Sequence, residues 1–186
     1  MSLSPRAKLL LIAALFALPI AASLTAYRFF PPEPTANYGE LILPPQLLTE
    51  DPLSRPGGTA FRFGELRDRW ILVASDSAAC ELSCAAKLHV TRQVRLALGR
   101  NASRVARVFV VDDGRTPDPA ALAPPEDLVV AVMPRGLAIP PGPANDRAHI
   151  YLVDPRGNVM MRWPAQPDFR RMLKDLERLL KASQIG

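Results

Sequence analysis

Apolar residues follow three rhythms along this chain. From Leu9 to Tyr27 the run LLLIAALFALPIAASLTAY carries no charge. About 20 apolar residues in a helix cross a bilayer core, so residues 9–27 are expected to form a transmembrane signal-anchor. Arg6 and Lys8 precede the run and Arg28 comes after it. The positive-inside rule then keeps residues 1–8 in the cytoplasm and exports the rest. Tyr27, Phe29 and Phe30 suit the far interface, and Pro19 is tolerated in a membrane helix. A cleaved signal peptide ending near Ala21-Ala22-Ser23 is the competing expectation. The apolar run is longer than the about 7–15 residues of a signal core. Both readings export the remainder of the chain.

The second rhythm is an interruption. Pro31, Pro32, Pro34, Pro44, Pro45, Pro52 and Pro56 fall within residues 28–58, which read as a semi-rigid spacer ended by Gly57-Gly58. Inside it, Asn37 to Leu43 fits a short strand lying on the domain.

The third rhythm alternates strands and helices over residues 59–186. Trp70–Ala74 is a continuous apolar run, as in a strand buried on both faces. Cys84–Leu98 reads as a helix, with Leu88, Thr91, Arg95 and Leu98 along one side and Gly99 ending it. Val105–Val111 and Leu128–Met133 are further strands. His149–Val153 and Val159–Trp163 form a hairpin around Asp154-Pro155-Arg156-Gly157-Asn158. Asp168 is a natural N-cap for a closing helix whose Phe169, Met172, Leu173, Leu176, Leu179 and Leu180 recur at helical spacing. This order predicts an α/β sandwich on one central sheet with flanking helices, without internal repeats.

Charge adds little to this picture. The 186 residues carry a formal net charge of +5. The basic residues are scattered among acidic ones, with no basic stripe interleaved with aromatics, so no nucleic-acid partner is expected.

Chemistry enters with the only two cysteines, Cys80 and Cys84. A bridge between them closes a very short loop, and loop-closure stabilisation grows with loop length, so stapling is a poor reason for the pair. The segment Ser75 to Cys84 joins a buried strand to a helix. A thiol at a helix N-terminus meets unpaired N–H donors and the positive end of the macrodipole, which favour thiolate. Thiolate attacks disulfides and binds soft metals. Positions i and i+4 share one helix face, so both sulfurs can address one Cu(I), or Cu(II) where a third nitrogen joins. The same spacing permits a disulfide if the first turn loosens. The bland alternative is a pair of small buried apolar residues. His89 lies five residues past Cys84 and turns away from the cysteine face. His149 opens a strand, as a third ligand or as an ordinary strand histidine. Met133, Met160 and Met161 offer thioethers or simply fill the core.

Phe61-Arg62-Phe63-Gly64-Glu65-Leu66, Trp70-Ile71-Leu72-Val73, Cys80 and Cys84 together resemble the Sco/SenC family. The resemblance continues through Val108–Asp112 and His149–Gly157 and spans residues 59 to 182. Tyr38–Ile42, Arg92–Gly99 and the closing helix look like a divergent Sco-like group associated with cytochrome c oxidase assembly in proteobacteria. The resemblance implies a thioredoxin-like domain behind one transmembrane helix in the bacterial inner membrane, with the domain in the periplasm. It implies copper as a cofactor held by Cys80, Cys84 and His149, and as partner a cytochrome c oxidase subunit or another assembly factor. Glu81 and Ala85 replace the prolines that usually come after the family's cysteines. The family's copper-binding histidine, eight residues before the Asp of the Asp-Pro turn, corresponds to Asp146. His149 lies three positions later, and an odd shift along a strand reverses the face.

Three functions are expected as alternatives. The first is an assembly factor that handles copper, or the redox state of copper-site cysteines, through Cys80 and Cys84. The second is an exported thiol–disulfide oxidoreductase without metal, in which Cys80 attacks and Cys84 resolves. The third is a non-catalytic assembly scaffold.

Overall fold

The computed structural model describes residues 4–29, 37–48, 51–118, 122, 127–134, 142 and 144–183. Two compact units are distinguished, Met1–Ala36 and Asn37–Gly186. In the first, helix α1 runs Pro5–Phe29, with Pro19 inside and a mean hydropathy of 2.3 over its most apolar window. It is long and apolar enough to cross a membrane. Phe30, Pro31, Pro32 and Pro34 lie outside the described residues.

The second unit is built on strands β1 (Glu40–Leu47), β2 (Leu53–Ser54), β3 (Ala60–Phe61), β4 (Trp70–Asp76), β5 (Val105–Val111), β6 (Leu128–Val132), β7 (His149–Val153) and β8 (Asn158–Pro164). They form one mixed sheet in the order β1-β8-β7-β4-β5-β6-β2-β3. Strands β4, β5 and β6 are parallel, and the remaining pairings are antiparallel. All residues of β4 and β5 are buried, as their unbroken apolar runs require of strands covered on both faces. Helix α2 (Leu82–Ala97) carries the chain from β4 to β5, and α3 (Phe169–Ala182) closes the fold. The Asp168 side chain accepts the Arg171 N–H, capping α3 as its sequence anticipates.

The sheet separates two sets of core side chains. Trp70, Leu72, Val105, Ile150, Leu152, Met161 and Trp163 pack with Val94 and Leu98 of α2 and Met172, Leu176 and Leu180 of α3. On the other face Ile71, Val73, Val108, Val110, Tyr151 and Val153 pack beneath Leu48, Leu53, Phe61 and Phe63. A register irregularity opposite Leu152/Val153 lets Val159 face one cluster while Met161, two residues on, faces the other.

Folded structure reaches into the Pro-rich stretch expected to be spacer. Strand β1 pairs with β8 through Glu40, Leu41, Gln46 and Leu47, and the segment with Pro44 and Pro45 sits in the irregularity between them. Prolines lack the N–H that a ladder needs, so pairing passes to the residues on either side. The entry to β1 is fixed from α3. Asp175, which is buried, accepts the N–H groups of Tyr38 and Gly39 and the Trp163 indole N–H at 2.8–3.1 Å. Gly39 is needed there, because a Cβ would lie 2.5 Å from Met161 Sδ.

Candidate functional site

Strand β4 ends at Asp76, and residues 77–81 deliver the chain to the N-terminus of α2. Cys80 and Cys84 are joined there in a disulfide, with Cα atoms 5.0 Å apart. Cys80 holds φ at +41°, in the left-handed region that costs a side-chain-bearing residue conformational energy. Its N–H donates to the Ser77 carbonyl at 3.1 Å. Two aspartates hold the same loop: Asp76 accepts the Ser77 N–H at 2.8 Å and Asp113 the Ala78 N–H at 3.3 Å. Burial acts to raise the Asp113 carboxyl, but the N–H groups of Arg115 and Ala78, with the Arg115 and Arg147 charges, hold it below the usual range.

The two sulfurs are not equivalent. Cys80 is 8% exposed, at the rim of a shallow open depression that it lines with Glu81, Leu82, Ser83 and Ala85. Cys84 is 1% exposed and packs with Ala78, Leu88, Phe109, Val111 and Val132. Leu82, between them, is 91% exposed.

At the end of β4 that leads to the pair lies a group of charges that sequence reasoning missed. Lys87 is in the buried stripe of α2, three residues after Cys84, and is 1% exposed. Its ammonium donates to Ser75 O at 2.6 Å and Arg147 O at 2.9 Å, and meets Asp76 Oδ2 at 2.8 Å. The Arg147 guanidinium is held by Asp112, with Nε 2.7 Å from Oδ2 and a further 3.9 Å from Asp76 Oδ1. That Asp112 contact raises the Arg147 pKa. The one signal in the sequence was a lysine at i+3 from Cys84, where the stripe running on to Leu88 and Thr91 calls for an apolar residue.

His149 is placed elsewhere. It shares the sheet face of Tyr151, opposite the face covered by α2, and the two rings lie 6.1 Å apart. Its Nδ1 is 2.7 Å from Asp146 Oδ2, which also accepts the Tyr151 hydroxyl at 2.6 Å. Burial and then this bond push the Tyr151 pKa up to about 12. Burial acts to raise Asp146, but the Tyr151, Ala148 and His149 donors outweigh it and hold the carboxyl low. Among the described residues, no group of three His, Cys, Asp or Glu side chains is gathered that could hold a metal ion. The structure brings Cys80 and Cys84 together and does not bring His149 to them. Met160 and Met161 lie with the core cluster under α2 and α3, Met133 with the opposite one, and His89 is exposed on α2.

A model of the family described as transmembrane-like, thioredoxin-like, C-terminal domain matches residues 70–183. The chain belongs to that family. The match begins at β4 and ends beyond α3, so the cysteine loop, Lys87 and Asp146 all lie inside the family's domain. No curated protein matches the chain. Among solved structures, the apo Sco1 protein of Thermus thermophilus is similar at 18% identity and a TM-score of 0.62, covering 77% of this chain and 97% of that one. Copper-bound ScoI of Bradyrhizobium japonicum is similar at 20% identity and a TM-score of 0.54, covering 70% and 99%. BsSco, a member of the Sco family of cytochrome c oxidase assembly proteins in which a disulfide switch was identified, is similar at 14% identity and 0.53, covering 77% and 97%. The family domain therefore has the thioredoxin-like Sco fold, as the resemblance implied.

Proposed function

We propose that this chain is a membrane-anchored cytochrome c oxidase assembly factor whose domain, in the periplasm, exchanges thiols and disulfides through Cys80 and Cys84. The observation that carries the reading is the Cys80–Cys84 disulfide at the start of α2, in which both residues are buried but Cys80, the more exposed, lines an open depression. In the dithiol form, the Cys80 thiolate attacks a partner disulfide and expels one partner thiolate. Cys84 then attacks Cys80 Sγ and releases the second. Two electrons pass to the partner, and an exported dithiol donor restores the pair. The natural targets are the cysteines of an oxidase copper site, or of a copper carrier, which must be reduced to take the metal. Residues 1–8 stay in the cytoplasm and α1 anchors the chain in the bacterial inner membrane.

A second reading takes copper as cargo. Once reduced, the two thiolates offer soft ligands to Cu(I), and the fold is that of the copper-bound ScoI. His149, bonded to Asp146, gives this reading no third donor as placed.

The test is oxidase assembly in cells that make only a Cys80→Ser or Cys84→Ser chain. Oxidase activity should be lost in both. Full activity in both would leave only a scaffold. Anaerobic titration of the reduced chain with Cu(I) against a competing chelator separates the two readings: one-to-one binding that needs both cysteines supports cargo, and its absence leaves exchange.

A further inference from the structure

Lys87 and Asp76 form a buried ion pair between α2 and the end of β4. All three directions of the Lys87 ammonium are used, by Ser75 O, Asp76 Oδ2 and Arg147 O. These contacts satisfy its donors in a place where an isolated ammonium would be costly. It comes three positions after Cys84 on the buried face of α2, so the two side chains are neighbours along one stripe. The other charges around the cysteines are already matched or solvated. Asp112, after β5, is paired with Arg147 from the segment before β7, Asp113 with Arg115, and Glu81 at the start of α2 is exposed. The lysine and its carboxylate are thus buried, weakly screened charges on the helix face that holds Cys84, where the other buried cation, Arg107 of β5, is paired with Asp127.

We propose that Lys87 is a positioning residue of the cysteine pair, whose ammonium stabilises the Cys84 thiolate, while Asp76 opposes and limits that effect. The proposal rests on the reading that the pair cycles between disulfide and dithiol. When a partner thiolate attacks Cys80 Sγ, the Cys80–Cys84 bond breaks and its electron pair leaves on Cys84 as a thiolate. A thiol with a lower pKa leaves faster. Lys87 therefore assists departure of the sulfur that the partner never touches, and Asp76 keeps the reduced form from being stabilised too far.

The test uses the full chain in detergent micelles, in wild-type form and as Lys87→Met, Asp76→Asn and the double variant. Thiolate absorbance is followed against pH in the reduced proteins, and the disulfide–dithiol balance is measured against glutathione. Lys87→Met should move the Cys84 thiolate titration, read in a Cys80→Ser background, to higher pH and, with both cysteines present, favour the disulfide by about tenfold, equivalent to about 30 mV. Asp76→Asn should move both in the opposite direction, with the double variant between them. Opposite signs separate an electrostatic role from a structural one, which moves both variants alike. If Lys87→Met does not fold, Asp76→Asn still decides, because its ammonium keeps two carbonyl partners and an amide. An unchanged or raised titration in Asp76→Asn overturns the proposal. A wild-type dithiol that is inert toward glutathione would instead overturn the exchange reading, while the titrations would still judge Lys87.

Discussion

The two faces of the sheet bury polar groups in opposite ways. On the face covered by α2, charges are deep and serve as braces. Lys87 joins the helix to the ends of β4 and β7. Arg107, also 1% exposed, donates to Leu88 O at 2.6 Å and Thr91 Oγ1 at 3.2 Å and meets Asp127 at 3.0 Å. Burial lowers the Arg107 pKa, and Asp127 opposes the shift. On the other face the polar groups lie at the rim. Asp146 bonds both His149 and Tyr151, with Asp146 and His149 partly open to solvent, and Arg162 holds Glu40 through two bonds of 2.8 and 2.9 Å. The cysteines stand over the braced face and the histidine over the rim. The buried charges thus share the sheet face of the cysteines, and the imidazole that the resemblance put forward lies on the opposite one.

This contrast is open to measurement by urea unfolding. Lys87→Met leaves the buried Asp76 with only the Ser77 N–H and the more distant Arg147 guanidinium, so a loss of about 3 kcal/mol is expected. His149→Ala, on the other face, should cost no more than about 1.5 kcal/mol. Equal losses would erase the distinction. Gly39→Ala comes next. Its Cβ would fall 2.5 Å from Met161 Sδ and 2.6 Å from Trp163 Nε1, within the core under the helices, and overpacking of this kind costs about 1–3 kcal/mol.

Smaller effects are expected at the rim. Tyr151→Phe removes the hydroxyl donor to Asp146 and should cost about 1 kcal/mol at neutral pH. Asp146 has a folded pKa below its ordinary 3.8, so its contribution is complete above that value and is lost as pH falls through the lowered one. The difference between wild type and Tyr151→Phe should therefore shrink as pH drops below the carboxylate range. A constant difference down to acid unfolding would show that Asp146 is not the partner that matters. Smallest of all is the order of alkylation of the reduced pair. Cys80 should react before Cys84, and equal rates would remove its assignment as the attacking sulfur.

The elements that the sequence made legible are those with local signals. The apolar runs of β4 and β5, the Asp-Pro-Arg-Gly turn between β7 and β8, and the Asp168 cap each depend on neighbours a few residues away. So does the placing of the cysteines at a strand-to-helix junction, which marks the site without reference to any distant partner. What was hidden depends on distant partners. The first part of β1 reads as a short strand within residues 37–43, but its continuation past Pro44 and Pro45 does not, and its anchor is Asp175, 137 residues from Tyr38. Asp175 itself reads as one more charge on a basic amphipathic helix. Lys87 was missed for the same reason, since its acceptors come from β4 and from the segment before β7. Strand parity did not decide the place of His149, because Asp146 precedes β7 and its carboxylate meets His149 and Tyr151 on their own side.

The two outermost strands carry a consequence for life at a surface. Chains tethered to one membrane, as proposed for this one, meet often and in similar orientations, and an open sheet edge then invites strand addition from one copy to the next. Here β1 ends one edge with two adjacent prolines, and β3 ends the other after only two residues. Neither offers a long run of free N–H groups, so crowding in the plane of the bilayer finds no template from which a fibre could grow.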